Sequence, residues 1–297
     1  MGPQHPSTHG VLRLGLRMSG EVIVEATPDI GYLHRGMEKL AEKRTYQGNI
    51  ALSDRWDYIS SMSNNFAMCL PVEKLMGIQV PKRAEYIRVI MAEFNRIASH
   101  LILFGTYGID MGAWTTVLYG FREREIILDI YESVCGARLT YNYFRIGGVA
   151  NDLPDGFTKA AKEFIKYFRP RLKEYDDLLT NNVIFLDRTK NIAIISKEDA
   201  VNYGITGPML RASGVKYDIR KDDTYSVYGE FDFDIPTGVA GDCWDRYIVR
   251  MREMYESTKI IEEAIDKLPE GDICAIVPKV IRPPAGEVYT RIEAPRG

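Results

Sequence analysis

The chain has 297 residues, 45% of them hydrophobic and 27% charged, with a formal net charge of −3. That content suits one large folded domain or two modest ones and excludes wholesale disorder. The near balance of charge excludes the basic field that nucleic acid or an anionic membrane surface calls for. Cys69, Cys135, Cys243 and Cys274 stand far apart with no C-x-x-C pair. They read as reduced core thiols of a cytoplasmic protein, and the chain is expected to bind no metal and hold no iron–sulfur cluster of its own. Residues 1 to 10 lack the basic start and apolar core of a secretory signal. The longest strongly apolar run, Leu101 to Phe104, is too short to span a bilayer. No G-x-G-x-x-G after a strand and no G-x-x-x-x-G-K-[ST] occurs, which disfavours a nucleotide site.

In chain order, GPQHPSTHG at 2 to 10 comes first, carrying His5 and His9. Pro3 and Pro6 remove backbone donors and hold the preceding residues extended, so this is a shaped loop: a binding loop, or a stiff lead-in to a strand. VLRLGLRM at 11 to 18 alternates, Ser19-Gly20-Glu21 breaks it, and VIVEA follows at 22 to 26, which predicts a hairpin with one buried face. From Tyr32 the period turns helical through Leu33, Met37, Leu40 and Ala41. A second helix is predicted over 52 to 68, with Trp56, Ile59 and Met62 on one face. The clearest runs over 83 to 104 with a stripe from Ile87 to Leu101, Pro81 near its start and Gly105 just past its end. Further helices are predicted at Thr115 to Cys135, capped by Gly136, at 157 to 178 with a bend at Pro170, and at Trp244 to Ile265. Between 180 and 240 the pattern predicts short strands, turns and a short helix near 197 to 203. The predicted fold class is therefore mainly α with a small N-terminal β-hairpin, an α+β chain. It is expected to form a single domain over 1–297: hairpin and loop at 1–28, helical core at 29–180, and a mixed segment with one helix at 181–297.

Four groups could carry chemistry. His9 in its stiff loop would become a proton donor if a carboxylate held its other ring nitrogen. In DRWDYISSMSNN, 54 to 65, Asp54 and Asp57 suit a helix start by complementing its dipole, and Tyr58 is either a donor to a buried ligand oxygen or a packing residue. In HRGMEK, 34 to 39, Arg35 precedes Gly36 and has Glu38 nearby as an ion-pair partner. In FGTYGIDMGAW, Asp110 ends the long helix or caps the next, amid glycines that suit close backbone approach.

Taken together, GPQHPSTHGVLRL, GYLHRGMEK, DRWDYIS, FGTYGIDMGA and TGPMLRASGVKYDIRK (206 to 221) make the chain resemble the D-type subunit of NADH-quinone oxidoreductase, respiratory complex I, in order and through essentially its whole length. The resemblance implies a fold like the nickel–iron hydrogenase large subunit, whose two C-x-x-C metal pairs are absent here. It implies a quinone, ubiquinone or menaquinone, as substrate, with the quinone-binding histidine falling on His9, the quinone-binding tyrosine on Tyr58 and the histidine's acidic partner on Asp110. Arg35 and Arg55 match arginines near a terminal [4Fe-4S] cluster held by the neighbouring B-type subunit, and Arg35 matches a position dimethylated in some members. Thr140, in GARLTYNY, stands where many members carry a histidine near that cluster. The implied partners are the complex I subunits B, C and I and the membrane subunits A and H. The implied place is peripheral, on the cytoplasmic side of the bacterial inner membrane. The family continues beyond APRG at 294 to 297, so a C-terminal segment is expected to be missing. A structural assembly subunit and the large subunit of a related membrane-bound hydrogenase or ferredoxin-dependent complex are the competing expectations.

Overall fold

The computed structural model describes residues 12–297. They fall into two compact units divided between Arg44 and Thr45. In the first, β1 (Arg13–Ser19) and β2 (Val22–Asp29) form an antiparallel hairpin turned at Gly20, whose φ is +60°. Ion pairs Arg13–Asp29 at 3.1 Å and Arg17–Glu25 at 2.9 Å line one face, and the register slips between Arg17 and Met18. The predicted buried face does not form within this unit: β2 is exposed along its whole length, Val22, Ile23 and Val24 included. A two-stranded sheet has no second layer of its own to cover either face. The helix predicted from Tyr32 begins later, as α1 (Met37–Glu42), because Gly31 and Gly36 both take left-handed φ and keep the residues between them in a loop.

The second unit is helical, so the chain as a whole is mainly α with a small N-terminal hairpin. It contains α2 (Tyr46–Ser53), a 3-10 turn (Tyr58–Ser60), α3 (Ser61–Met76), α4 (Lys82–Asp110) and α5 (Thr115–Cys135). A small ribbon of β3 (Phe144–Arg145) and β4 (Gly148–Val149) follows, and then α6 (Phe157–Tyr175), which contains Pro170 and continues into a π turn at Asp176–Thr180. After these come α7 (Val183–Thr189), α8 (Lys197–Asn202), α9 (Gly207–Ala212), α10 (Ile219–Asp222) and the long α11 (Cys243–Asp266). No strand forms between 180 and 240, where the sequence suggested several. Short helices replace them, begun by side chains that take the first free N–H groups: Asn182 for Ile184 and Phe185, Ser196 for Asp199, Asp218 for Arg220.

The central element is α4, buried almost throughout from Ala84 to Leu101 and packed on α5, α11 and α3. It does not stop at Gly105 but runs five residues further, because its glycines serve packing instead. A Cβ on Gly108 would lie 2.0 Å from Thr116 Oγ1, and one on Gly105 would lie 3.0 Å from Val117 Cα. The two backbones thus approach closely, and Thr116 Oγ1 donates to the Gly105 carbonyl at 3.0 Å. Gly108→Ala gains about 1 kcal/mol of helix propensity but forces the two helices apart. The expected net loss is about 1–2 kcal/mol, read as a lower thermal midpoint; an unchanged midpoint would show that the crossing yields.

On the side facing α9, α10 and α11, α4 presents charges rather than hydrocarbon. Arg220 pairs with Glu93 at 3.1 Å and with Asp218 at 2.6 Å, and Arg211 pairs with Glu253 at 2.7 Å and Glu293 at 2.9 Å. His100 Nε2 lies 2.9 Å from Glu253. All these side chains are buried. Burial alone would raise the Glu253 carboxyl, but Arg211, His100 and Arg96 outweigh it and hold the group well below the usual carboxylate range. Burial pushes His100 down to about 4 against the pull of Glu253, so its ring is neutral at pH 7 and donates Nε2–H to the carboxylate.

Candidate functional site

The helix predicted over 52 to 68 is broken in its first third. Side chains finish α2: Ser53 Oγ donates to the Ile50 carbonyl at 2.8 Å and Arg55 Nη1 to the Ala51 carbonyl at 2.6 Å. The chain then turns through Asp54–Asp57 before α3 begins at Ser61, which leaves Trp56 exposed while Met62 is fully buried.

That turn is fixed from several directions. Ser61 Oγ lies 2.9 Å from the Asp54 carbonyl and 3.0 Å from that of Tyr58, and Asn64 donates to the Asp57 carbonyl at 2.8 Å. Asn95 of α4 accepts from Met62 N–H at 3.1 Å and donates to the Ile59 carbonyl at 3.0 Å. Tyr58 rides on this rigid base with its side chain half exposed, and its hydroxyl makes no hydrogen bond to a described residue. Asp57 turns to Arg296, whose Nε donates to it at 3.0 Å, instead of capping a helix. Asp57 thus stands at the start of the 3-10 turn without a side-chain cap bond, while Asp54 closes the C-terminal end of α2, where the helix dipole does not favour a carboxylate.

Asp54 is the side chain whose setting the sequence hid. Its carboxylate is fully buried, one oxygen accepts from Asn142 N–H at 3.3 Å, and the other has no hydrogen bond. Burial pushes this group up to about 6, with Asn142, Asn65, Arg55 and Arg145 pulling the other way. The Asn142 loop follows α5 and contains Thr140. Thr140 and Asn142 both take left-handed φ, 52° and 46°, which is uncommon for side chains with a Cβ. Arg145 secures the loop by donating to Asn142 Oδ1 at 2.9 Å. The structure thus brings Asp54, Arg55 and the Thr140 loop together at the base of Tyr58.

Because the folded Asp54 holds its proton more tightly than the unfolded one, this group's contribution to stability falls as pH rises from about 4 to about 6. The loss is on the order of 3 kcal/mol. Asp54→Asn removes that step, so denaturant unfolding across this window should show the difference between variant and parent changing with pH. A pH-independent difference would contradict the assignment.

Asp110 is the last residue of α4 and is exposed. It stands fifteen residues beyond Asn95, roughly 22 Å along the helix at 1.5 Å per residue, so the structure does not place it beside Tyr58. Arg35 belongs to the first unit, is exposed, and makes no ion pair with Glu38. His9 lies outside the described residues. Among the described residues no group of three or more His, Cys, Asp or Glu side chains is arranged to hold a metal ion, and no helix is long and apolar enough to cross a membrane.

Residues 110–297 match the family model described as respiratory-chain NADH dehydrogenase, 49 Kd subunit. The chain is 53% identical over 298 residues to a Bacillus cereus (strain ATCC 10987) protein that bears the name of the D-type subunit of NADH-quinone oxidoreductase, a match covering all of this chain and 81% of that protein. Proteins of the same name from Bacillus anthracis and Bacillus cytotoxicus are also 53% identical, with the same coverage. An identity above one half, sustained from end to end of the chain and joined to the family match over 110–297, means that it belongs to the family of the 49 kDa subunit of respiratory-chain NADH dehydrogenase, the D-type subunit of NADH-quinone oxidoreductase.

Proposed function

We propose that the chain serves as a subunit of a proton-translocating NADH:quinone oxidoreductase and contributes the quinone-reducing surface through the Asp54–Tyr58 turn. The observation that carries this reading is the Tyr58 hydroxyl: unpaired among the described residues, and mounted on a turn held by Ser61, Asn64 and Asn95. A donor held this way needs no reorganisation when charge develops on a ligand oxygen.

Reduction of a quinone consumes two electrons and two protons, turning each carbonyl oxygen into a hydroxyl. Tyr58 donates to one oxygen as electrons arrive. A phenol is a weak acid, so the proton moves only once reduction has made that oxygen basic. The family resemblance assigns the other donor to His9, with Asp110 as the carboxylate that fixes its tautomer. Arg55 and Arg35 are assigned to the neighbourhood of a [4Fe-4S] cluster carried by the B-type subunit, where their charge favours the reduced state. Thr140 replaces an ionisable group there. Subunits C and I and the membrane subunits A and H complete the partners in this reading, which places the chain peripherally on the cytoplasmic side of the membrane and couples electron transfer to proton translocation.

The reading is tested by Tyr58→Phe in the assembled enzyme, which keeps the ring and deletes the donor. The KM for quinone should rise about fivefold, as for one lost hydrogen bond of about 1 kcal/mol, and kcat should fall further. Wild-type values for both would leave the chain a structural subunit.

A further inference from the structure

We infer that Arg250 is the receptor of an oxyanion site: the Nε–Nη2 edge of its buried guanidinium takes two oxygens of a phosphate or a carboxylate. The site stands whether or not the Tyr58 turn faces quinone.

Arg250 belongs to α11 and is only 7% exposed. A guanidinium keeps its charge at working pH and carries only donors, so burial obliges it to find acceptors. Arg250 finds one. Its Nη1 donates to the Arg246 carbonyl at 2.7 Å, one turn back along the helix. Its Nε is sealed from solvent without a partner. The other buried arginines among the described residues, Arg88, Arg96, Arg211 and Arg220, each touch a buried carboxylate: Glu73, Glu93, Glu253 and Asp218. For Arg250 no described carboxylate lies within ion-pair distance. Those nearby are already engaged, Glu253 by Arg211 at 2.7 Å and His100 at 2.9 Å, Glu293 by Arg211 at 2.9 Å, and Asp57 by Arg296 at 3.0 Å.

The shape of the guanidinium selects the ligand. Nε–H and one Nη2–H point the same way along one side of the plane, the edge that grips carboxylate or phosphate with two parallel bonds. The Nη1 bond fixes that plane and leaves the edge unclaimed. The surroundings favour negative charge there: burial pushes Arg250 down to about 10, and Arg211 and Arg296 push the same way against Glu253 and Tyr107. An oxyanion on the edge would offset all of these. The Arg296 side chain is about half exposed, so an ion can approach along it from solvent.

The test compares the full chain with Arg250→Met, by thermal unfolding in chloride and in inorganic phosphate or acetate at one ionic strength. In chloride the variant should unfold at the parent temperature or above it, because an uncompensated buried cation has been removed. With added phosphate or acetate the parent midpoint should climb by a few degrees with the logarithm of concentration and overtake the variant. The variant should show only the weak rise that excluded salts give any protein. A variant lower than the parent by the same amount in every salt would overturn the inference, since the arginine would then be satisfied within the fold. A parent response no larger than the variant's would overturn it too. The map of the assembled enzyme, prepared in phosphate, distinguishes the sources. A phosphate on Nε and Nη2 assigns the site to ions from solution, and a carboxylate side chain there assigns it to another stretch of polypeptide. Water alone on that edge would overturn the inference, and this map decides by itself if Arg250→Met fails to fold.

Discussion

Arg211→Met is expected to destabilise the protein by about 3–5 kcal/mol, the usual consequence of stripping one partner from a buried ion pair. Arg211 is fully buried and holds Glu253 at 2.7 Å, Glu293 at 2.9 Å and Asp218 at 3.6 Å. Methionine fills much of the same volume, so the loss is electrostatic: Glu253 and Glu293 keep their burial and lose their guanidinium partner, while Asp218 is left with Arg220 alone. The pH dependence follows. Glu253, held well below its ordinary value, contributes stability that is present above about 4 and lost as pH falls through its folded value. Without Arg211 that value rises, so the carboxylates take up protons earlier and the deficit of Arg211→Met shrinks as the solution is acidified. Denaturant unfolding at pH 7 and pH 4.5 measures both effects. A deficit under 1 kcal/mol, or one that grows on acidification, would contradict this account of the network.

His100 acts in the opposite sense to Asp54 over a similar range. It is neutral in the fold and its value is pushed down to about 4, so the unfolded chain binds a proton that the folded chain refuses. Its contribution to stability therefore rises with pH from about 4 to about 6.5. The two groups partly offset each other in the parent, and single variants are needed to see either.

Tyr58→Phe carries the second large effect, a fall in kcat of about 100-fold, the lower end of what a positioned proton donor contributes. The substitution should leave the base of the turn intact, because the bonds fixing it run through backbone carbonyls at Asp54, Asp57, Tyr58 and Ile59 and not through the phenol. Unfolding stability should accordingly stay within about 0.5 kcal/mol of the parent, as for a surface side chain. A large fall in turnover with unchanged stability assigns the effect to the hydroxyl.

The parts of this molecule that could be read from its residues are the ones with enough length to repeat a pattern. Helices α4, α5 and α11 show several turns of 3.6-residue spacing, and Gly136 does cap α5. The short α7, α9 and α10 have too few turns for a period to show, and their starts rest on single capping residues or on one proline. Trp56, Ile59 and Met62 imitate a helical face across a segment that turns, because three-residue spacing also arises by chance over seven residues. Gly105 looked like a stop signal, although glycine serves close helix approach as readily as termination.

The candidate site was legible only through family resemblance. Nothing in the spacing of DRWDY distinguishes Tyr58 from a packing residue. Asp54 accepts from the N–H of Asn142, 88 positions away, and the partner of Asp57 is Arg296, 239 positions away. Contacts at such separations leave no local periodic trace.

Whether this chain supplies the groups that hand protons to quinone is decided in assembled enzyme carrying His9→Ala or Tyr58→Phe. The reduction of the iron–sulfur clusters and the turnover of quinone are followed in the same sample. The account predicts clusters that still reduce on addition of NADH while quinone turnover collapses in both variants. Turnover at the parent rate in both, with the clusters reduced, would contradict it and leave the chain a scaffold for chemistry carried out by its neighbours.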